Sequence, residues 1–193
     1  LAAGEGAHRY VLGPAVSLLI SRGVRLRLLS TDRDETLAAV REGRANLGVT
    51  VAGALPAGLK NLDLATYPQV AVLPSGHHLG RRRSLRVADL LGETMIVPPP
   101  GRPQREALGE AWRRAGAGIV VGAEAEGWAQ VLYFASLGAG IGVVNGCVGA
   151  VPGTVTRPVR DLPAVAYCAV FRKAEEGSPG LRSVLESLQA SLP

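Results

Sequence analysis

Short apolar runs alternate with helix-period segments along this chain, and that alternation constrains its fold more than any other feature. Residues 46–51 (NLGVTV), 70–73 (VAVL), 94–97 (TMIV), 119–122 (IVVG), 141–144 (IGVV), 155–159 and 165–171 have the length and β-branched content of buried strands. Residues 24–29 (VRLRLL) alternate apolar and cationic side chains, a strand of period two. Between them, residues 8–22 place Val11, Leu12, Ala15, Leu18 and Leu19 at helical spacing, with Gly23 as a stop. Asp32 and Glu35 fit a capping-box pattern that opens a helix running to Gly43. Further helices are expected at 85–91, at 104–115 with Pro103 at its start, at 128–137, and at 178–192 with Ser178 as cap. Repeated strand–helix–strand order means an α/β fold whose sheets are largely parallel and covered by helices. No internal repeat and no low-complexity linker stands out.

Composition narrows the function classes. The chain has 193 residues, 47% of them hydrophobic, and a mean hydropathy of +0.20, which excludes disorder and allows a sizeable core. Its 25 glycines and 13 prolines require many short elements. Aromatics at 4% are too few for a single-strand nucleic-acid platform that stacks bases on rings. Net charge is +5, and all the cations except Lys60 and Lys173 are arginine, which favours anionic partners in general. Cys147 and Cys168 make no disulfide scaffold and suit a reducing cytoplasm, the expected location. Residues 127–156 carry no charge, yet they hold seven glycines and change period midway. They read as a buried helix followed by a buried strand, not a membrane span. No charged segment and apolar core open the chain, so no signal peptide is expected.

Catalytic and cofactor motifs are missing from the sequence. There is no Gly-Lys pair for a Walker loop and no GxSxG elbow. Gly138-Ala139-Gly140-Ile141-Gly142 lacks dinucleotide-loop spacing and precedes a strand, so it reads as a structural turn. His8, His77 and His78 have no cysteine or carboxylate at ligand spacing, and no metal or other cofactor is expected. The two cysteines read as buried thiols, and Arg81-Arg82-Arg83 as a solvated loop.

The candidate site lies where helices begin. Parallel sheets collect strand-to-helix junctions at the carboxyl ends of their strands, where open sheets bind ligands. Helix N-termini there offer free N–H groups and a positive dipole end to anions. The junctions fall near residues 4–8, 30–34, 97–104 and 124–128 and supply the candidates Ala7, His8, Asp32, Arg33, Pro99, Pro100, Arg102 and Trp128. His8, Arg33 and Arg102 suit a carboxylate or phosphate, and Trp128 an apolar or aromatic part. No nucleophile–base pair or paired carboxylates appear among them, so an enzyme is not expected.

Nearly the whole chain resembles the effector-binding domain of LysR-type transcriptional regulators. The first mark is Val24-Arg-Leu-Arg-Leu-Leu-Ser, a helix, then Arg41-Glu-Gly-Arg-Ala-Asn-Leu-Gly-Val. The second is Val70-Ala-Val-Leu-Pro-Ser-Gly-His-His-Leu followed by Leu85-Arg-Val-Ala-Asp-Leu-Leu-Gly-Glu. The third is the segment from Trp128 to Asn145, similar to a helix ending in VxxGxGIxxxP. His78 and Asn145 stand where proline is usual, Asn46 where an acidic residue is usual, and Ala7 where a serine is frequent.

The resemblance implies a two-lobed, periplasmic-binding-protein-like type 2 fold with a ligand cleft between lobes. Residues 1–69 and 165–193 would form lobe I and residues 70–164 lobe II. It also implies a small-molecule effector, such as a carboxylate or other anion, and a homodimer or homotetramer. In such a dimer, helices near 8–22 and 104–115 would meet. Promoter DNA would be read by a winged helix-turn-helix that lies outside this chain, which therefore reads as a piece of a longer protein. A solute-binding protein for a small anion shares this fold. A signal peptide upstream would favour that alternative, and about 90 upstream residues with a helix-turn-helix pattern would favour the regulator.

Overall fold

The computed structural model describes residues 1–192. Its elements begin with β1 (Ala2–Ala3), α1 (Glu5–Tyr10), α2 (Gly13–Ser21), β2 (Leu29–Ser30), α3 (Arg33–Arg41), β3 (Leu47–Val51) and β4 (Leu59–Tyr67). They continue with β5 (Gln69–Pro74), β6 (Thr94–Val97), α4 (Pro103–Arg114), β7 (Val120–Glu124), α5 (Trp128–Ser136) and β8 (Ile141–Asn145). β9 (Thr154–Pro158), β10 (Val165–Arg172) and α6 (Pro179–Ser191) complete the chain. Two compact units result: unit 1 holds Leu1–Thr66 and the segment from Val165 onward, and unit 2 holds Tyr67–Ala164.

Each unit is built on one five-stranded sheet, ordered β2-β1-β3-β10-β4 in unit 1 and β7-β6-β8-β5-β9 in unit 2. Both orders follow one rule. Three parallel strands stand as second, first, third in order of appearance. Beside the third lies the strand that enters after the chain has left the other unit, and an outer strand follows it. The entering strands run antiparallel to their neighbours: Ala169 of β10 faces Val49 of β3, and Ala71 of β5 faces Val143 of β8. The sheets are therefore mixed, not largely parallel. Hydrophobic period marks a strand but not the direction of its partner.

A repeat also exists, in topology rather than in sequence. Its trace in the residues is Leu47-Gly48-Val49 on β3 and Ile141-Gly142-Val143 on β8. α3 packs over β3 and β10, and α5 packs over β8 and β5. In both places the glycine lets the helix come close. A Cβ on Gly48 would lie 2.7 Å from Thr36 Cγ2 and 3.0 Å from Val40 Cγ2. A Cβ on Gly142 would lie 2.1 Å from Val131 Cγ1.

The cores differ in bulk. Under α3 the buried cluster is Ala2, Leu37, Ala39, Val40, Ala45, Leu59, Cys168 and Val170. In unit 2 Trp112 of α4 packs among Leu79, Leu85, Leu90, Met95, Leu108 and Ile141, among others.

Four elements depart from the sequence reading. The helix expected at 8–22 is two helices, because Pro14 has no N–H and its ring would clash with the carbonyl of Tyr10 in a continuous helix. The strand expected at 24–29 pairs only at Leu29–Ser30 with β1, and of residues 24–28 the Arg27 carbonyl accepts from the Leu1 amine at 2.8 Å outside the strand ladder. The helix expected at 85–91 is a 3₁₀ turn over Val87–Leu90, whose first N–H donates to the Asp161 carboxylate at 2.9 Å. β4 was not anticipated: it is an outer strand with few fully buried positions. Among the described residues no helix is long and apolar enough to cross a membrane.

Candidate functional site

In unit 1 the chain leaves β1 through Gly4 and enters α1 at Glu5, earlier than the sequence suggested. Ala7 and His8 therefore lie within the helix, not at its open end. Ala7 is buried. His8 Nε2 lies 2.9 Å from the carbonyl of Leu29. A carbonyl only accepts, so Nε2 carries the proton and ties α1 to β2. Nδ1 is left buried with no hydrogen-bond partner.

The second junction of this unit leads from β2 into α3. Asp32 Oδ1 accepts the Glu35 N–H at 2.9 Å, a side-chain N-cap. The Glu35 carboxylate pairs with Arg44 at 2.8 Å instead of closing a capping box. Arg33 turns back on the protein. Its Nη2 donates to the Ala54 carbonyl at 2.8 Å and its Nε to the Val51 carbonyl at 3.4 Å. Its guanidinium thus holds the loop after β3, where a Cβ on Gly53 would come within 2.9 Å of Nη2.

In unit 2 the chain leaves β6 through Pro98, Pro99 and Pro100. Pro99 is half-buried and Pro100 exposed. Arg105, one turn into α4, donates to the Pro98 carbonyl at 2.9 Å and stands 3.6 Å from Glu124. Gln104 donates to the Val143 carbonyl at 3.0 Å. These two contacts fix α4 against its own loop and against β8. Arg102 occupies the N-cap position of α4. Among the described residues its one ion pair is a 3.8 Å contact to Glu126, whose side chain is 73% exposed. An exposed pair of that length holds a cation weakly. Trp128 begins α5 half-buried, and beside it Gln130 accepts the Glu126 N–H at 3.0 Å.

The structure therefore separates the candidates by what already occupies them. His8 through Nε2, Asp32 through Oδ1 and Arg33 through Nε and Nη2 are engaged by their own unit, and the free Nδ1 of His8 is buried. Arg102 has a cationic head that an incoming anion can take from Glu126. Gln104 stands at this junction in the sequence as well, beside Arg102; sequence reasoning missed Arg105, which holds the loop before α4, and Glu126, which contacts Arg102. The run of three prolines before a helix start was the available signal for a shaped junction.

Burial pushes the Cys147 thiol up to about 11, and it raises Cys168 as well, with a smaller contribution from Asp63. Both stay protonated at neutral pH and are poor nucleophiles.

Among the described residues one group has metal-ligand geometry: His77, His78 and Glu93, with their ligand atoms within 4.8 Å of one another. Glu93 was hidden by its distance in sequence from the histidines. Each histidine Nε2 lies 3.4 Å from a Glu93 oxygen. Nδ1 of His77 accepts the Leu79 N–H at 3.3 Å, which places the ring proton on Nε2. Two imidazoles thus face one carboxylate, and in this tautomer the His77 Nε2 carries a proton rather than a free lone pair.

Comparison with known proteins places this geometry. The family model described as the LysR substrate binding domain matches residues 1–193. An HTH-type transcriptional regulator of Mycobacterium tuberculosis is 34% identical over 87 residues, 45% of this chain and 28% of that protein. The chain therefore matches less than a third of the length of its curated relatives. HinK, a LysR family transcriptional regulator from Pseudomonas aeruginosa, superposes with a TM-score of 0.82 at 17% identity, covering 99% of this chain and 69% of that one. The C-terminal domain of a probable LysR family regulator from Rhodococcus sp. RHA1 superposes with a TM-score of 0.81 at 15% identity, covering 97% and 96%.

Proposed function

This chain belongs to the LysR substrate binding domain family, and from that premise we propose that it binds a small anion at its strand-end junctions and so controls transcription. The family is regulatory and not enzymatic. As the effector-binding domain of a LysR-type regulator, the chain would act on promoter DNA through a helix-turn-helix elsewhere in the full-length cytoplasmic protein. The observation that carries the anion reading is Arg102: a cation at the start of a 12-residue helix, held by one long contact to an exposed carboxylate. The helix N-terminus adds free N–H groups and a positive dipole end. Pro99 and Pro100 stiffen the loop before it, and Trp128 supplies an apolar surface in the same unit. In unit 1, Asp32 and Arg33 would act indirectly, by holding the start of α3 and the loop after β3, with Ala7 and His8 packed behind them.

An effector works by binding one arrangement of the domain better than another, and its differential affinity sets the shift. Replacing Arg102 and Arg33 separately tests the assignment. Arg102→Ala should weaken anion binding by about tenfold or more, the value of one charge-assisted contact. Arg33→Ala should change stability more than affinity. Equal affinity in wild type and Arg102→Ala removes the clamp.

We also propose assembly into a homodimer or homotetramer. Ile20 on α2 is 58% exposed, and Val24 and Leu28 beside β2 are exposed as well. Val120 and Val121 on β7 are exposed at the edge of the other sheet. β2 and β7 are equivalent outer strands, and uncovered apolar edges of this kind favour pairing with a second copy.

A further inference from the structure

We propose that the loop from Gly80 to Arg86, braced by Arg157 and Arg160, is a contact surface for the phosphate backbone of duplex DNA. The family reading above enters only in the choice of polyanion. The charge distribution carries the rest. Six arginines (81, 82, 83, 86, 157 and 160) lie here with two carboxylates, Asp89 and Asp161, leaving 15 cations and 14 carboxylates for the remaining chain. Almost all of the net charge of +5 is therefore gathered on one side of unit 2.

The cluster is braced from within. Arg157 Nε donates to the Arg82 carbonyl at 2.6 Å, and its Nη2 donates to the Gly80 carbonyl. Arg160 Nε donates to Ser84 Oγ. Leu85 and Val87 point into the core, and the backbone of Leu85 pairs with Pro158 and Arg160. Arg82 is neutralised by Asp89 at 2.7 Å. Arg81, Arg83 and Arg86 are exposed, and among the described residues no carboxylate lies within 4.0 Å of their guanidinium groups, although the Arg86 backbone N–H donates to Asp89 at 2.8 Å. Among the described residues unpaired cations occur elsewhere too, including Arg9, Arg25, Arg27 and Arg182, whereas Arg44, Lys60, Arg105, Arg113, Arg114 and Arg172 each have a carboxylate within that distance; what sets this loop apart is that it gathers six arginines against two carboxylates. A cavity of about 290 Å³ lined by Arg82, Ser84, Leu85, Arg86, Asp89 and Arg160 indents the surface.

Uncompensated like charges held on a braced loop repel one another, and a polyanion relieves that repulsion. The surface offers guanidinium groups without an exposed large apolar side chain, since those lie elsewhere, from Ile20 to Leu137. A protein partner needs an apolar interface core. Phosphate contacts need only donors and charge. The lack of an aromatic in the loop points to a duplex rather than a single strand.

The test measures binding of this chain to a labelled random-sequence duplex about three helical turns long, by fluorescence anisotropy from about 50 to 200 mM salt. The variant R81S/R83S/R86S should lower the slope of log affinity against log salt by about 2 to 3. The charge-retaining variant R81K/R83K/R86K should restore it. A charge-matched control in unit 1, R9S/R182S/K173S, should leave it nearly unchanged. Thermal melting of each variant checks folding, since the replaced side chains make no ion pair. Equal losses in the two triple-serine variants, or no binding at the lowest salt, would overturn the proposal. So would competition by polyglutamate as strong as by unlabelled duplex, which would assign the surface to an acidic protein. None of these outcomes bears on effector binding, which a small-molecule titration reads separately.

Discussion

The two units use one strand order on two different cores. In unit 1, α3 lies close on β3 over a cluster containing three alanines. In unit 2, α5 approaches β8 more closely still, while α4 anchors through Trp112, which is 1% exposed, into a cluster rich in leucines. The shared requirement is narrow: a glycine on the third parallel strand where the preceding helix packs, Gly48 in one unit and Gly142 in the other. The rest of each core was free to diverge as long as volume was conserved. Repeating a topology therefore demands little sequence repetition, and the repeat escapes a reading of the residues alone.

Their junctions differ as well. Unit 1 closes the start of α3 internally, with the Asp32 cap and the Arg33 bonds to the Val51 and Ala54 carbonyls, while α1 begins at Gly4 without a side-chain cap. Unit 2 leaves α4 without a side-chain cap and puts an exposed arginine at that position. The first arrangement stabilises the start of α3, and the second leaves that of α4 without a side-chain cap and with the Arg102 head exposed.

The comparison is broken most severely by Trp112→Ala. Truncating the largest buried side chain of unit 2 should cost about 3–5 kcal/mol, read by denaturant unfolding. Hydrogen exchange should place the loss in unit 2, and a loss spread evenly over both units would show that they unfold as one. Next in size are the glycine pair. Gly142→Ala and Gly48→Ala should each cost about 1–3 kcal/mol through overpacking, with the larger effect at Gly142, where the approach is closer. A neutral result at either site would end the equivalence of the two glycines. Asp32→Ala should cost about 1 kcal/mol, whereas Arg102→Ala should leave the melting temperature within the range of ordinary surface changes. The smallest effect concerns the thiols, one per unit. The Cys147 thiol titrates near 11 in the folded protein against an ordinary value of 9.0. Its contribution to stability is complete below pH 9 and is lost as pH rises from 9 toward 11, where only the unfolded chain ionises freely. Cys147→Ser should remove that part of the alkaline fall, and alkylation of either native thiol at pH 8 should be slow.

How much of this could be read beforehand follows the physics of each segment. Buried strands such as residues 94–97 and 141–145, and helices such as α4 and α5, announce themselves by continuous apolar runs or by period, and their positions agree with the structure within two residues. Outer strands do not. β4 carries polar residues between its apolar ones, and residues 24–28 show strand alternation but lie outside the strand ladder. Pro14 explains the break between α1 and α2 and was present in the residues, but the helical spacing across it masked it. At the junctions the residue types were visible and their contacts were not. Arg33 reaches a carbonyl 21 positions away and Glu93 meets histidines 15 and 16 positions before it. Such pairings are set by the packing of strands, which local sequence does not encode.

The central claim is that unit 2 presents an anion-binding junction at Arg102 while unit 1 keeps the Asp32–Arg33 junction closed. Thermal shift of wild type and Arg102→Ala against aromatic and aliphatic carboxylates, amino acids and phosphates tests it directly. A ligand at about 100 times its dissociation constant should add roughly 2.7 kcal/mol, a rise of about 5–10 °C for a domain of this size. The account predicts that at least one anion gives this rise in wild type and that Arg102→Ala abolishes most of it. A panel with no stabilising anion, or a rise of equal size in the variant, would contradict it.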